Sequence, residues 1–410
     1  MKVHAQGLKQ HYGLENKSLL QFFGASFLAQ AAMGAIGVLL NLYILSLGFG
    51  EDFAGTVMSV KLFVTGIISI PAGFLTSRWG PGRTLMAASA ALGAGIIAIA
   101  WTSQPGLLLA GAVLIGSAMA IKAVSVPVFL VLNSSPRVRQ NVFSLNFSLM
   151  MFANMAGSVS SGYLSELWPG SREGLSGTLL AFGLVALASA VFLAFIPRGK
   201  GSATASRSQE QLGLNSILRD KKLSRLVASH LLIGFGAGLI VPLFNVFMSN
   251  KLGASTSQIG IIMSVGQIAT ALGGLLVPLV VRRLGQVATV VVLRLASIPF
   301  LLIIANAPNL QLLGAAYFLR TALMNMTNPV DSSFTMEMAG EKRVAMSSLL
   351  SGMNTITRAI SVLASGWIMS RFSYALPYYL TCGLYAVTTL LFWRWFRREK
   401  TPVTQGAVLQ

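Results

Sequence analysis

Lys61, Lys122, Arg294, Arg320 and Arg358 each stand inside a long apolar stretch, and the acids in comparable settings are Asp331 and Glu337. A charge at the centre of a bilayer costs roughly 2.5 to 3.5 kcal/mol even on the lenient insertion scale, so a cation kept there needs a partner or a task. An excess of embedded cation attracts anionic groups, and the planar guanidinium is suited to carboxylate or phosphate. The structural alternative is that these cations pair with Asp331, Glu337 or helix C-terminal carbonyls. Asp331 follows Arg320 by eleven residues, on the same helical face but roughly 16 Å further along at 1.5 Å per residue, so the two cannot pair. Asp331 is left for a partner on another helix. Burial and a neighbouring cation act in opposite directions on a carboxyl group's hold on its proton, which makes Asp331 the candidate proton carrier, with a structural ion pair as its alternative. Glu337 lies near the end of its stretch and reads as solvated.

Asn41 and Asn245 recur at corresponding places in the two halves of the chain, which suits either cavity lining or a shared helix contact. Asn154 and Gln267 could bond a solute or a neighbouring helix, and His230, near the start of its stretch, reads as solvated. Cys382 stands alone and the three histidines are scattered, so neither a disulfide framework nor a metal cluster is expected. A nucleotide-cradling Gly-x-x-x-x-Gly-Lys-Ser/Thr loop is also missing, and no cofactor is expected.

The elements that carry these residues must be helices in lipid. Hydrophobic residues make up 54% of the chain and charged ones 10%, outside the range of soluble domains. Twelve stretches reach the roughly 20 residues that cross a bilayer core. They begin near Leu19, Phe53, Thr84, Gly106, Asn141, Gly177, Arg225, Thr256, Gln286, Asn309, Ala345 and Ala375, and they lack the alternation of a membrane barrel. The fold expected is all-α. The first stretch has no small-residue cleavage signal and reads as a retained helix. Four spans carry polar or small residues at helical spacing: Gln30, Gly34, Gly37 and Asn41; Lys61, Thr65, Ser69, Ala72 and Thr76; Arg320, Thr327, Asp331 and Thr335; Ser347, Ser351, Asn354, Arg358, Ser361 and Ser365. Such stripes mark either the lining of a water-filled path or close helix packing. Pro71, Pro127, Pro242, Pro278 and Pro329 allow bends within spans.

The formal charge of +19 invites a nucleic-acid reading, which the placement of the basic residues opposes. Of 30, five lie within spans and only Arg172, Lys251 and Arg371 fall in loops after odd-numbered spans, leaving 22 in the termini and the loops after even-numbered spans. That asymmetry puts both termini in the cytoplasm and makes anionic membrane lipid, not nucleic acid, the expected partner.

The second half of the chain repeats the first. At an offset of 205, Leu47, Gly48, Gly55, Met58, Ser59, Arg78 and Gly80 fall on Leu252, Gly253, Gly260, Met263, Ser264, Arg283 and Gly285. At 204, Gly34, Asn41, Arg139, Ser144, Leu145, Ser161 and Gly162 fall on Gly238, Asn245, Arg343, Ser348, Leu349, Ser365 and Gly366. The division expected is an N-terminal six-helix half over 1–196, a cytoplasmic linker over 197–222 and a C-terminal half over 223–410. The linker's later part, with Leu212, Leu214, Ile217 and Leu218 among polar residues, suits either a surface-lying helix or a flexible tether.

The turn GFLTSRWGPGRTL, Gly73 to Leu85, resembles the signature loop of the major facilitator superfamily, a match carried by Gly73, Leu75, Arg78, Gly80 and Arg83. The cognate turn keeps Arg282, Arg283 and Gly285. The resemblance implies a twelve-helix transporter of two six-helix halves, with spans 1, 2, 4, 5, 7, 8, 10 and 11 around a central path and the Gly73–Arg83 loop as a gating element. On that map Lys61, Lys122, Arg320 and Arg358 lie near the path, while Arg294 lies in a peripheral span. Ser77 stands where the family loop has Asp, so the latch is weaker or built differently. The drug-antiporter subgroup's proline motif in the fifth span is replaced by Gly157–Gly162, and its arginine in the fourth, expected near Ala112, is missing.

The reading is thus a monomeric secondary transporter of the bacterial inner membrane that moves a small organic solute by alternating access, by proton-coupled export. Asn41, Lys61, Lys122, Asn245, Arg320 and Arg358 are its candidate solute-binding residues and Asp331 its coupling residue. The alternatives are an organic-anion transporter using the embedded cations, or a non-transporting receptor on the same fold. A membrane enzyme is disfavoured by the absence of any clustered catalytic constellation.

Overall fold

The computed structural model describes residues 16–196, 217 and 219–399, and it is all-helical. Twelve spans run α1 (Lys17–Ser46), α2 (Glu51–Trp79), α3 (Pro81–Ala100), α4 (Pro105–Asn133), α5 (Arg139–Glu166), α6 (Ser171–Ala194), α7, α8 (Thr256–Leu284), α9 (Gln286–Asn306), α10 (Leu310–Ala339), α11 (Arg343–Arg371) and α12 (Leu376–Phe396). Span α7 is in two pieces, Lys221–Ile240 and Phe244–Leu252. Pro242 sits in the break, where it lacks the N–H that would continue the ladder. Pro71, Pro127, Pro278, Pro299 and Pro329 are accommodated inside continuous helices.

Among the described residues, nine spans are long and apolar enough to cross a bilayer on length and composition alone. The other three are α10, α11 and α12. Charges in α10 and α11, and the Thr and Tyr residues of α12, dilute their apolar character, and they span as members of the bundle. The expected linker lies outside the described residues apart from 217 and 219–222; Ile217 is buried against the C-terminal half.

Packing follows the repeat pair for pair. In the first half α1 packs on α5 and α6, α2 on α4, and α3 on α4 and α6; in the second α7 packs on α11 and α12, α8 on α10, and α9 on α10 and α12. The halves meet along α2 with α11 and along α5 with α8. Both crossings are built on residues the repeat preserves. A Cβ on Gly55 would lie 3.0 Å from the Cα of Gly366, and one on Gly162 would lie 2.5 Å from the carbonyl oxygen of Thr256. Gly260 abuts the backbone of Ser158. Contacts this close exclude any side chain.

Asn41 and Asn245, each 1% exposed, join the halves reciprocally. Asn41 Nδ2 donates to the Asn245 Oδ1 at 3.0 Å and to the Pro242 carbonyl at 2.8 Å, and Asn245 Nδ2 donates to the Val38 carbonyl at 2.8 Å. Pro242 is Val38 shifted by 204, so the bonds obey the same pseudo-twofold axis as the sequence. At the same end Glu166 accepts from Ser257 N at 2.8 Å and from Thr256 Oγ1 at 3.0 Å, capping α8 from the opposite half. Glu51 accepts from Asn250 Nδ2 at 2.9 Å and from the Tyr374 hydroxyl. These contacts close the end where α1, α5, α7 and α11 finish. Towards the end that carries the α2–α3 turn and the first and last described residues, a cleft opens.

Candidate functional site

The cleft leads into a cavity of about 540 Å³, within the usual range for small-molecule sites. Its walls come from the C-terminal half: α7, α8, α10 and α11, with Arg294 from α9 and Tyr385 from α12. Polar stripes aim into it. Arg320, Thr327, Asp331 and Thr335 of α10 all line it, as do Ser347, Ser351, Asn354 and Arg358 of α11. The eleventh span's last two stripe members instead clamp α7, Ser361 donating to the Phe235 carbonyl and Ser365 to that of Leu239.

Arg320 is 7% exposed. One terminal nitrogen donates to the Tyr385 hydroxyl at 3.4 Å, and its Nε has no partner. Arg358 faces the same cavity near Tyr385 and Arg320, and its Nε is likewise unpaired. Among the described residues neither arginine has a carboxylate within ion-pair distance. One guanidinium bonds the Tyr385 phenol and the other stands near it, with no counter-charge among the described residues, which suits this wall to a carboxylate, phosphate or sulfonate. Beyond Arg320 lies an apolar annex of about 40 Å³, bounded by Phe244, Met263, Tyr317 and Tyr378, where Phe244 stacks on Tyr317 at 4.5 Å.

Closer to the open end is a second cluster. Arg294 pairs with Asp331 Oδ2 at 2.5 Å, reaches Ser229 Oγ at 3.5 Å and lies 5.4 Å from the Phe392 ring centre. His230 Nδ1 stands 3.7 Å from the same carboxylate oxygen, and its Nε2 is 3.0 Å from Thr335 Oγ1. Asp331 Oδ1 is buried without a partner. Asp331 is thus held by one arginine, beside an imidazole and a hydroxyl.

Several expectations change. Asn41 and Asn245 do not line the cavity; they bond each other at the closed end. Lys61, 6% exposed, does not line the cavity, and its Nζ lies 3.1 Å from Met58 Sδ. Lys122 points between α1, α3, α4 and α6 inside the N-terminal half. His230 is half-buried beside Asp331 and is not a solvated end residue. Peripheral Arg294 turns inward as the partner of Asp331. Gly80 (φ 82°) and its repeat Gly285 (φ 78°) make the α2–α3 and α8–α9 turns in a conformation that favours glycine, with Arg78 and Arg83 exposed and Gly73 in open space. Glu337 is exposed, bonded to Gln286 and Ser333. The residues missed altogether are Tyr317, Tyr378 and Tyr385; a phenol inside an apolar span needs a polar partner, and that was their signal.

The family model described as Major Facilitator Superfamily matches the chain twice, over residues 22–228 and 226–407. The multidrug resistance protein MdtG of Enterobacter lignolyticus is 28% identical over 205 residues, 47% of this chain and 46% of that protein. Its counterpart in Klebsiella pneumoniae is 29% identical over 163 residues, 36% of this chain and 38% of that protein. The matched stretch thus spans less than half of either relative. Among solved structures, the nucleoside transporter NupG superposes with a TM-score of 0.80 at 15% identity, covering 93% of this chain and 100% of that one. A D-xylose-proton symporter gives 0.72 at 14%, covering 93% and 98%. At these identities the structures speak to the fold alone.

Proposed function

The chain belongs to the Major Facilitator Superfamily, a membrane transporter and not an enzyme, and on that premise we propose that it carries a small organic anion by alternating access, coupled to protons. The observation that carries the reading is the pair Arg320 and Arg358, facing a cavity of about 540 Å³ without a carboxylate partner. The substrate's anionic group docks between them against Tyr385, its body fills the cavity, and an apolar portion reaches the annex. The C-terminal half supplies the binding wall and the N-terminal half the opposing surface that moves.

In this reading the open end faces the cytoplasm of a bacterial inner membrane and this conformation faces inward, supported by the basic residues in the loops after even-numbered spans. To face outward, the halves part at Asn41–Asn245 and at the glycine crossings, and α2, α5, α8 and α11 come together at the other end. Asp331 carries the proton, passing it with His230 and Thr335. When Asp331 is neutral, Arg294 loses its counter-charge, and the cavity gains a cation.

We assign export as the direction, supported by the likeness to multidrug resistance proteins. A second reading follows from the charges. An anion in a low-dielectric cavity favours neutralisation of a nearby carboxylate, so proton and anion bind jointly, as cotransport requires. Flux of a radiolabelled aromatic carboxylate into proteoliposomes under an imposed pH gradient separates the two. Uptake driven by an interior more acidic than the bath supports exchange with protons; uptake driven by a more acidic bath supports cotransport. Equal flux in wild type and an Arg320→Gln, Arg358→Gln double variant contradicts the anion site under either direction.

A further inference from the structure

The amino group of Lys122 is sealed from solvent without a hydrogen-bond partner, and among the described residues no carboxylate stands within ion-pair distance of it. It lines a small cavity of about 10 Å³ with Ser26 of α1, Ser89 of α3 and Ser189 of α6. Ser189 Oγ donates to Ser89 Oγ at 3.2 Å, and both serines are fully buried. Phe22, Leu85, Val126 and Leu193 close the rest of the wall.

The repeat shows what this cell corresponds to. An offset of 204 takes Ser26 to His230, and one of 205 takes Ser89 to Arg294. The matching quartet α7, α9, α10 and α12 therefore holds the Arg294–Asp331–His230 cluster, a cation with its acid. The N-terminal cell has the cation and hydroxyls in place of the acid. A charge withdrawn from water is strongly destabilising unless paired or fully hydrogen-bonded. We propose that the N-terminal cell binds a single halide ion, held by Lys122 Nζ and the hydroxyl of Ser89, which Ser189 Oγ orients by donating to it. Size bounds the class: room on the order of 10 Å³ holds one small body, which excludes a carboxylate or phosphate and leaves a monatomic anion as the class to test.

The test is thermal unfolding of the purified full chain at constant ionic strength, with sodium gluconate replaced stepwise by chloride or bromide. A saturating rise of Tm is expected in the wild type and in Arg320→Gln, Arg358→Gln, with loss of the response in Lys122→Met and weakening in Ser89→Ala. No rise, a rise that survives in Lys122→Met, or one that disappears with the cavity arginines overturns the site. Should Lys122→Met fail to fold, anomalous diffraction from wild-type crystals grown in bromide decides. A peak beside Lys122 Nζ is expected, and its absence there overturns the proposal.

Discussion

Arg294 is 1% exposed and Asp331 6%, so each offsets part of the desolvation cost of the other. Removing one partner alone leaves a bare buried charge. Asp331→Asn is therefore expected to lower stability by about 3–5 kcal/mol, and adding Arg294→Gln to restore most of it, checked by thermal unfolding in one detergent. A double variant no more stable than Asp331→Asn shows that the two do not act as a pair. The same Asp331→Asn change is expected to uncouple transport from the pH gradient while leaving exchange of labelled for unlabelled solute. Arg320 and Arg358 are differently placed, since under the anion proposal their counter-charge is the solute itself. Each charge-assisted bond is worth about 1.5–3 kcal/mol, so Arg320→Gln and Arg358→Gln should each weaken anion binding roughly tenfold to a hundredfold. At this scale the sequence conveyed which residues were charged and embedded but not where they pointed. The separation of Arg320 and Asp331 along α10 could be read from helical rise, whereas the Arg294 partner comes from another helix, and the direction of the Lys61 and Lys122 side chains is a rotamer choice.

Along each span, one pattern of spacing served two purposes. The stripes of α10 and α11 that hold arginine line the cavity, while those of α1 and α2 are packing seams. Gly34 receives the backbone of Asn154 and Ser158, Thr65 Oγ1 bonds the Gly116 carbonyl at 3.1 Å, and Thr76 Oγ1 lies 2.7 Å from Ser125 Oγ. Spacing alone fixes the face but not what the face meets. The glycines at the inter-half crossings make an element-scale prediction. Gly366→Leu cannot fit against Gly55 and the Glu51 carbonyl, so closure at that end should fail. In that background Ser257→Cys, buried at the closed end, should react with a membrane-impermeant maleimide several-fold faster than in the parent. Unchanged labelling contradicts the assignment of this crossing as a gate.

Across the whole molecule, the offset of 204 to 205 residues reappears as geometry. It relates the two crossings, Gly55 with Gly366 and Gly260 with the α5 segment ending at Gly162. It relates the reciprocal bonds of Asn41 and Asn245, and the left-handed turns at Gly48 and Gly253 and at Gly80 and Gly285. Twelve spans and two like halves were legible because lipid imposes length and composition, and because duplication preserves the residues at crossings and turns. The asymmetry was not: the cavity wall with its arginines belongs to the second half, while the corresponding cell of the first holds Lys122 among serines. That difference is what supports the proposal that solute recognition belongs to one half. The most direct test is a thermal-shift screen of the purified protein with matched panels of organic anions and lipophilic cations, run on wild type and Arg358→Gln. A ligand at 100 times its dissociation constant adds about 2.7 kcal/mol to stability, enough to resolve. Stabilisation by anions in the wild type and its loss in Arg358→Gln is the expected result; stabilisation of both proteins by cations alone would contradict the anion site.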